Sequence, residues 1–132
     1  MINAETKLTE AVRRDLEASG AHCVKLSDRF TRGVPDMLVV TDRIVMIEFK
    51  IYSSELNVEK YANLGLSGSQ DHHIRNMVRR SARSACVITG LPDGSKRSIW
   101  IPVSPDTETI NLYRRAASDT DCLKWVLGSW NR

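Results

Sequence analysis

No apolar run in these 132 residues approaches the ~20 needed to cross a bilayer. The first residues are polar where a secretion signal needs an apolar segment, so an intracellular protein is expected. Cysteine is scarce. Cys23, Cys86 and Cys122 are odd in number and widely separated, with neither zinc-ligand spacing nor a disulfide framework. They are expected to be reduced, Cys23 and Cys86 buried in strands. There is no internal repeat, linker or low-complexity segment, no nucleotide-binding glycine loop and no Ser-His-Asp order.

What is present is ordinary for a globular chain: 42% hydrophobic and 27% charged residues. The length suits one domain around a single core. A net charge of +3 permits nucleic-acid binding without demanding it.

Residues 4–19 read as a helix with Asn3 as N-cap, Gly20 as C-terminal stop and Leu8, Val12 and Leu16 as its buried stripe. Glu5 lies on that stripe, where an acid also suits the helix dipole; Glu10 lies on the far side. Residues 21–26 read as a strand. Residues 27–33 form a polar loop in which Arg29 and Arg32 are either phosphate contacts or solvated side chains. Gly33 there calls for a positive φ or a close backbone approach.

Two apolar strands follow, opened by Asp36 and closed by Glu48 and Lys50, with Thr41-Asp42-Arg43 as the turn. Side chains alternate faces along a strand, so Glu48 and Lys50 share a face and Phe49 points to the other. A three-residue turn places Asp36 directly opposite Glu48. Two like charges across a sheet repel, and the apolar Leu38, Val40, Ile44 and Met46 on that face raise the cost. A hard divalent cation removes both penalties. Ile44–Phe49 is apolar on both faces, as in a central covered strand.

Residues 51–69 have no clear period and read as a long loop with Tyr52 and Lys60 as candidate contacts. Ser69 is the expected N-cap of a helix over 70–84, with Gln70 facing inward at its start. Arg75, Arg79, Arg80 and Arg83 fall mostly on its outer faces, either solvated or facing a nucleic-acid backbone. Asp71-His72-His73 lacks the setting of a metal motif and reads as helix surface. Strands are expected at 85–89 and 96–103, then two short helices at 107–117 and 121–127, with Trp125 and Trp130 as packing residues.

Pro35-Asp36, eleven intervening residues and Glu48-Phe49-Lys50 resemble the PD-(D/E)XK nuclease superfamily. Gly33 upstream and Gln70 downstream are similar to its VRR-Nuc and Holliday-junction-resolvase-like branches. The resemblance spans roughly residues 5–90. It implies an α/β, restriction-endonuclease-like core (helix, three strands, helix, strand) with a central mixed sheet flanked by helices. The expected layout is a single domain, its core at about 4–103 and a helical addition at about 104–132.

It also implies metal-dependent hydrolysis of DNA phosphodiesters. Asp36, Glu48, the Phe49 backbone carbonyl and Glu5 would hold Mg2+, for which Mn2+ substitutes. Asp36, Glu48, Lys50, Gln70 and Glu5 would form the catalytic set, with Glu10 in reserve for Glu5. Arg29, Arg32, Arg75 and Arg79 would hold the DNA. A branched or flapped substrate would call for a homodimer, since two symmetric cuts need two sites. The competing reading is a catalytically silent nuclease-fold module that binds DNA or assembles with a partner.

Overall fold

The computed structural model describes residues 4–26, 33–52, 64–106 and 112–128, with side chains from Lys7 onward in the first helix. Asn3, Lys60 and Trp130 lie outside the described residues. Helix α1 (Ala4–Ala18) forms because Leu8, Val12 and Leu16 recur at one turn's spacing, and all three are fully buried. It ends where Gly20 adopts φ +95°. There the Ala21 N–H donates to the Leu16 carbonyl (3.1 Å) and the Gly20 N–H to the Glu17 carbonyl (3.0 Å), closing the helix in a Schellman turn.

Six strands make one mixed sheet in sequence order: β1 (His22–Lys25), β2 (Met37–Val40), β3 (Ile44–Ile51), β4 (Ala85–Gly90), β5 (Ser98–Pro102) and β6 (Tyr113–Ser118). All neighbours are antiparallel except β3 and β4, which run parallel. That parallel step needs a crossover, and helix α2 (Gly68–Arg80) supplies it. Helix α3 (Thr120–Leu127) closes the described chain.

The strand alternation sorts the apolar residues into two cores. Met37, Val39, Val45, Ile47, Phe49, Cys86, Ile88 and Ile99 pack on one face under α1 and α3. Val87, Trp100 and Tyr113 pack on the other with Ile74 of α2, joined by Tyr52 and Leu64. β3 therefore sits inside the sheet with both faces covered, as its composition demands. Cys86 and Cys122 are buried, Cys23 is half-buried, and all three are free thiols. Burial pushes the thiols of Cys86 and Cys23 up, and that of Cys122 to about 12.

Three boundaries depart from the expected ones. Residues 113–118 form strand β6, not part of a helix; residues 107–111 lie outside the described chain. The open edge of β5 offers unpaired backbone groups, and pairing with them outweighs the weak local preference of Tyr-Arg-Arg-Ala-Ala-Ser. The C-terminal segment thus extends the sheet and is no purely helical addition. The second helix starts after Ser67, not Ser69, and stops at Arg80 rather than 84.

Candidate active site

Two turns fix the site. Thr41-Asp42-Arg43 joins β2 to β3 with the pairs Val40–Ile44 through Met37–Ile47. Continued one residue, this register sets Asp36 opposite Glu48 on the face that carries α2. Past the last ladder pair the Asp36 carboxylate takes over as acceptor, receiving the Phe49 N–H at 3.0 Å. It feels both the Glu48 side chain opposite and the Lys50 ammonium. Burial pushes the Asp36 carboxyl above its ordinary range, while the Phe49 N–H, Lys50, the Glu48 contact and Lys25 pull it back down.

Glu48 is 3% exposed. Gln70 grips it, donating from Nε2 to Glu48 Oε1 at 2.9 Å. The helix start sets that amide. Ser67 Oγ accepts from the Gln70 N–H (3.1 Å), and Gln70 Oε1 accepts from the Ser67 N–H (2.9 Å). This is a capping box. With Oε1 committed to Ser67, Gln70 turns its NH2 to the acid. The amide thus bonds a carboxylate of the site. Ser67 went unnoticed in the sequence, although the Ser-x-x-Gln spacing of a capping box was there to read.

Gly33 brings the strand entry to the same helix. Its φ is +84°, and an added Cβ would fall on the Ser69 backbone carbonyl. The N-terminal turn of α2 is thereby seated against both the segment leading to Asp36 and the Glu48 side chain.

The side chain of Glu5 and the whole of Arg29 and Arg32 lie outside the described residues. Glu10 is half-exposed and paired with Arg13 at 3.4 Å, on the solvent side of α1. Phe49 buries its ring on the opposite face, in the core under α1.

Arg75 does not face outward. It is 9% exposed, ion-paired to Asp71 at 2.9 Å and bonded to the carbonyls of Ser104 and Leu112 (3.3 Å to the latter). Asp71 also accepts from the Tyr113 hydroxyl at 2.7 Å. The N-cap lies two residues before the expected one. Arg75 turns toward β6, a strand the sequence did not announce, and is committed to structure rather than to DNA. Arg79 is exposed and paired to Asp106 at 2.7 Å. His72 is exposed on the helix surface, as expected.

Among the described residues no group of three or more His, Cys, Asp or Glu gathers as a metal cluster. The Asp36–Glu48 pair still fits a hard divalent cation: two carboxylates stand opposite each other on one face, one almost fully buried, and each gains from a neutralising charge between them. Among the described residues no helix is long and apolar enough to cross a membrane.

No family model matches the chain, and no curated protein does. Among solved structures it is similar to Archaeoglobus fulgidus Hjc, a Holliday junction resolvase from an archaeal hyperthermophile. The TM-score is 0.55 at 15% identity, covering 89% of this chain and 90% of that one. The fold is restriction-endonuclease-like. In this restriction-endonuclease-like chain Asp36, Glu48 and Lys50 gather at the end of the β2–β3 hairpin away from its turn, with the start of the crossover helix beside them.

Proposed function

We propose that this protein is a divalent-metal-dependent nuclease that hydrolyses phosphodiester bonds of DNA. One observation carries the reading. The hairpin register sets Asp36 opposite Glu48 on the face that Lys50 shares, and Gln70 holds Glu48. Acids this close at the end of a buried hairpin cost stability, and a cation between them gives the arrangement a purpose. The spacing from Gly33-Val34-Pro35-Asp36 to Glu48-Phe49-Lys50 and Gln70, which resembles the VRR-Nuc and Holliday-junction-resolvase-like nucleases, supports it.

Asp36 and Glu48 hold the ion, with the Phe49 carbonyl and Glu5 as further donors; Mg2+ is the expected ion and Mn2+ its substitute. When bound, the ion supplies a Lewis acid that neutralises the phosphate and lowers the pKa of water. The residues do the rest. Lys50 orients the attacking water and offsets the negative charge that develops on the phosphate. The Gln70 amide fixes the Glu48 carboxylate in one rotamer, so that both acids present their oxygens to the same point. The Phe49 N–H does the same for Asp36. The substrate is DNA of a branched or flapped form, a reading supported by the likeness to a resolvase fold, and a homodimer follows if both strands are cut symmetrically.

The test incubates the protein with linear, flapped and four-way DNA in magnesium or in EDTA. Magnesium-dependent cleavage is expected, falling at least about a hundredfold in Glu48→Gln and Lys50→Met while DNA binding persists. Binding without cleavage on every substrate and metal would favour the silent module instead.

A further inference from the structure

β6 does not lie on β5 in simple register. Ile99 pairs with Ala117, but Trp100 pairs with Arg115, so Ala116 is the extra residue of a bulge. Bulges re-aim side chains. In an unbroken ladder Ala116 would sit opposite Trp100, and Arg115 would turn to the α1–α3 face. With the bulge, Ala116 and Ala117 both serve the α1–α3 core, and Arg115 is delivered to the α2 face.

There the Arg115 guanidinium stacks 5.0 Å from the centroid of the Trp100 ring. The ring is a firm support. It is 8% exposed, and its Nε1 donates at 2.9 Å to Thr89 Oγ1, itself 1% exposed. Arg115 is exposed, and among the described residues no carboxylate pairs with it.

The position relative to the acids follows from register. Glu48 pairs with Val87, Val87 with Trp100, and Trp100 with Arg115, so Arg115 shares a row and a face with Glu48. Three steps of ~4.8 Å put the two backbones about 14 Å apart. Val87 and Trp100 between them are buried with Ile74 of α2, so a nucleic-acid strand joining the two points passes over the start of that helix and spans only a few nucleotides. The first turn of α2 lies over this face, Gln70 reaching Glu48 and Asp71 accepting from the hydroxyl of Tyr113, two residues along β6 from Arg115.

We propose that Arg115, braced on Trp100 and aimed by the β6 bulge, is a backbone-phosphate contact for nucleic acid that passes from the Asp36–Glu48 pair over the start of α2 to the β6 edge. The inference rests on the nuclease reading. Arginine suits the task because its plane stacks on an indole while its N–H edge stays free for a phosphate. Arg114 provides the control. It is exposed next door, but it pairs with Ile101, whose side chain packs on the α1–α3 core, and so faces the other way.

The experiment is a fluorescence-anisotropy titration of a labelled DNA duplex in EDTA over a salt series, with the full chain, Arg115→Gln and Arg114→Gln, each checked by thermal melting. Arg115→Gln is expected to raise Kd roughly three- to tenfold and to lower the slope of log Kd against log salt by about 1, with Tm unchanged. Arg114→Gln is expected to leave both unchanged. Wild-type binding with Arg115→Gln indistinguishable from it overturns this inference alone, as does equal weakening in both variants. No binding by the wild-type chain overturns the nuclease reading and this inference with it.

Discussion

Asp36 is the residue at which stability and the proposed chemistry oppose each other. Its carboxyl is raised, first by burial, so the folded state binds its proton more tightly than the unfolded chain does. The sign follows from linkage. Stability from this group is complete below its ordinary value of 3.8 and is lost as pH rises through the raised folded value. At neutral pH the ionised group therefore costs stability. Asp36→Asn keeps an acceptor for the Phe49 N–H without the charge. Its Tm at pH 7 is expected to exceed that of wild type, its stability to lose the decline just above pH 3.8, and its DNA cleavage to vanish. Magnesium should raise the Tm of wild type by mass action and leave Asp36→Asn unmoved, a contrast that differential scanning fluorimetry reads directly. A variant that melts lower than wild type at pH 7 would mean that Asp36 is a structural cap.

At the scale of the element, the start of α2 holds the site. Removing the Ser67 hydroxyl takes away one N-terminal acceptor, and Ser67→Ala is expected to cost about 1 kcal/mol, measured by urea unfolding. Gly33→Ala should cost more than Gly20→Ala. Both glycines have positive φ, but a Cβ at Gly20 meets open space, whereas at Gly33 it meets the Ser69 backbone. These contacts also show what the sequence could disclose. The opposition of Asp36 and Glu48 was legible because a three-residue turn and period-2 alternation leave no freedom in register. The buried stripe of α1 was legible for the same reason, period and facing being locked together. Arg75 was not, because its partners are carbonyls of Ser104 and Leu112 and an acid shared with Tyr113, all set by a pairing more than 25 residues downstream. β6 itself was hidden because its residues acquire strand structure from the open edge of β5, not from their own pattern.

The whole molecule depends on that late strand. A core ending near residue 103 would leave β5 as an edge and strip α3 from the core it shares with α1. Three further ties reach across the same boundary. Arg43, in the β2–β3 turn, donates to the Val126 carbonyl at 3.2 Å and to the Trp125 carbonyl, and its guanidinium lies 5.6 Å from the Trp125 ring. Arg83 stacks on the same ring at 4.9 Å. Arg75 reaches the Leu112 carbonyl, and Asp71 takes the Tyr113 hydroxyl. Each tie joins the hairpin, the helix that builds the candidate site or the turn after that helix to residues beyond 103. Losing Trp125, Val126, Cys122 and Ala117 from a core at once costs an amount comparable to the roughly 5–15 kcal/mol that holds a domain of this size together. A chain cut after Val103 is therefore expected to show no cooperative thermal transition and no DNA cleavage. A truncated protein that melts cooperatively and still cuts DNA would show instead that β6 and α3 are an appendage to a self-sufficient four-strand or five-strand core.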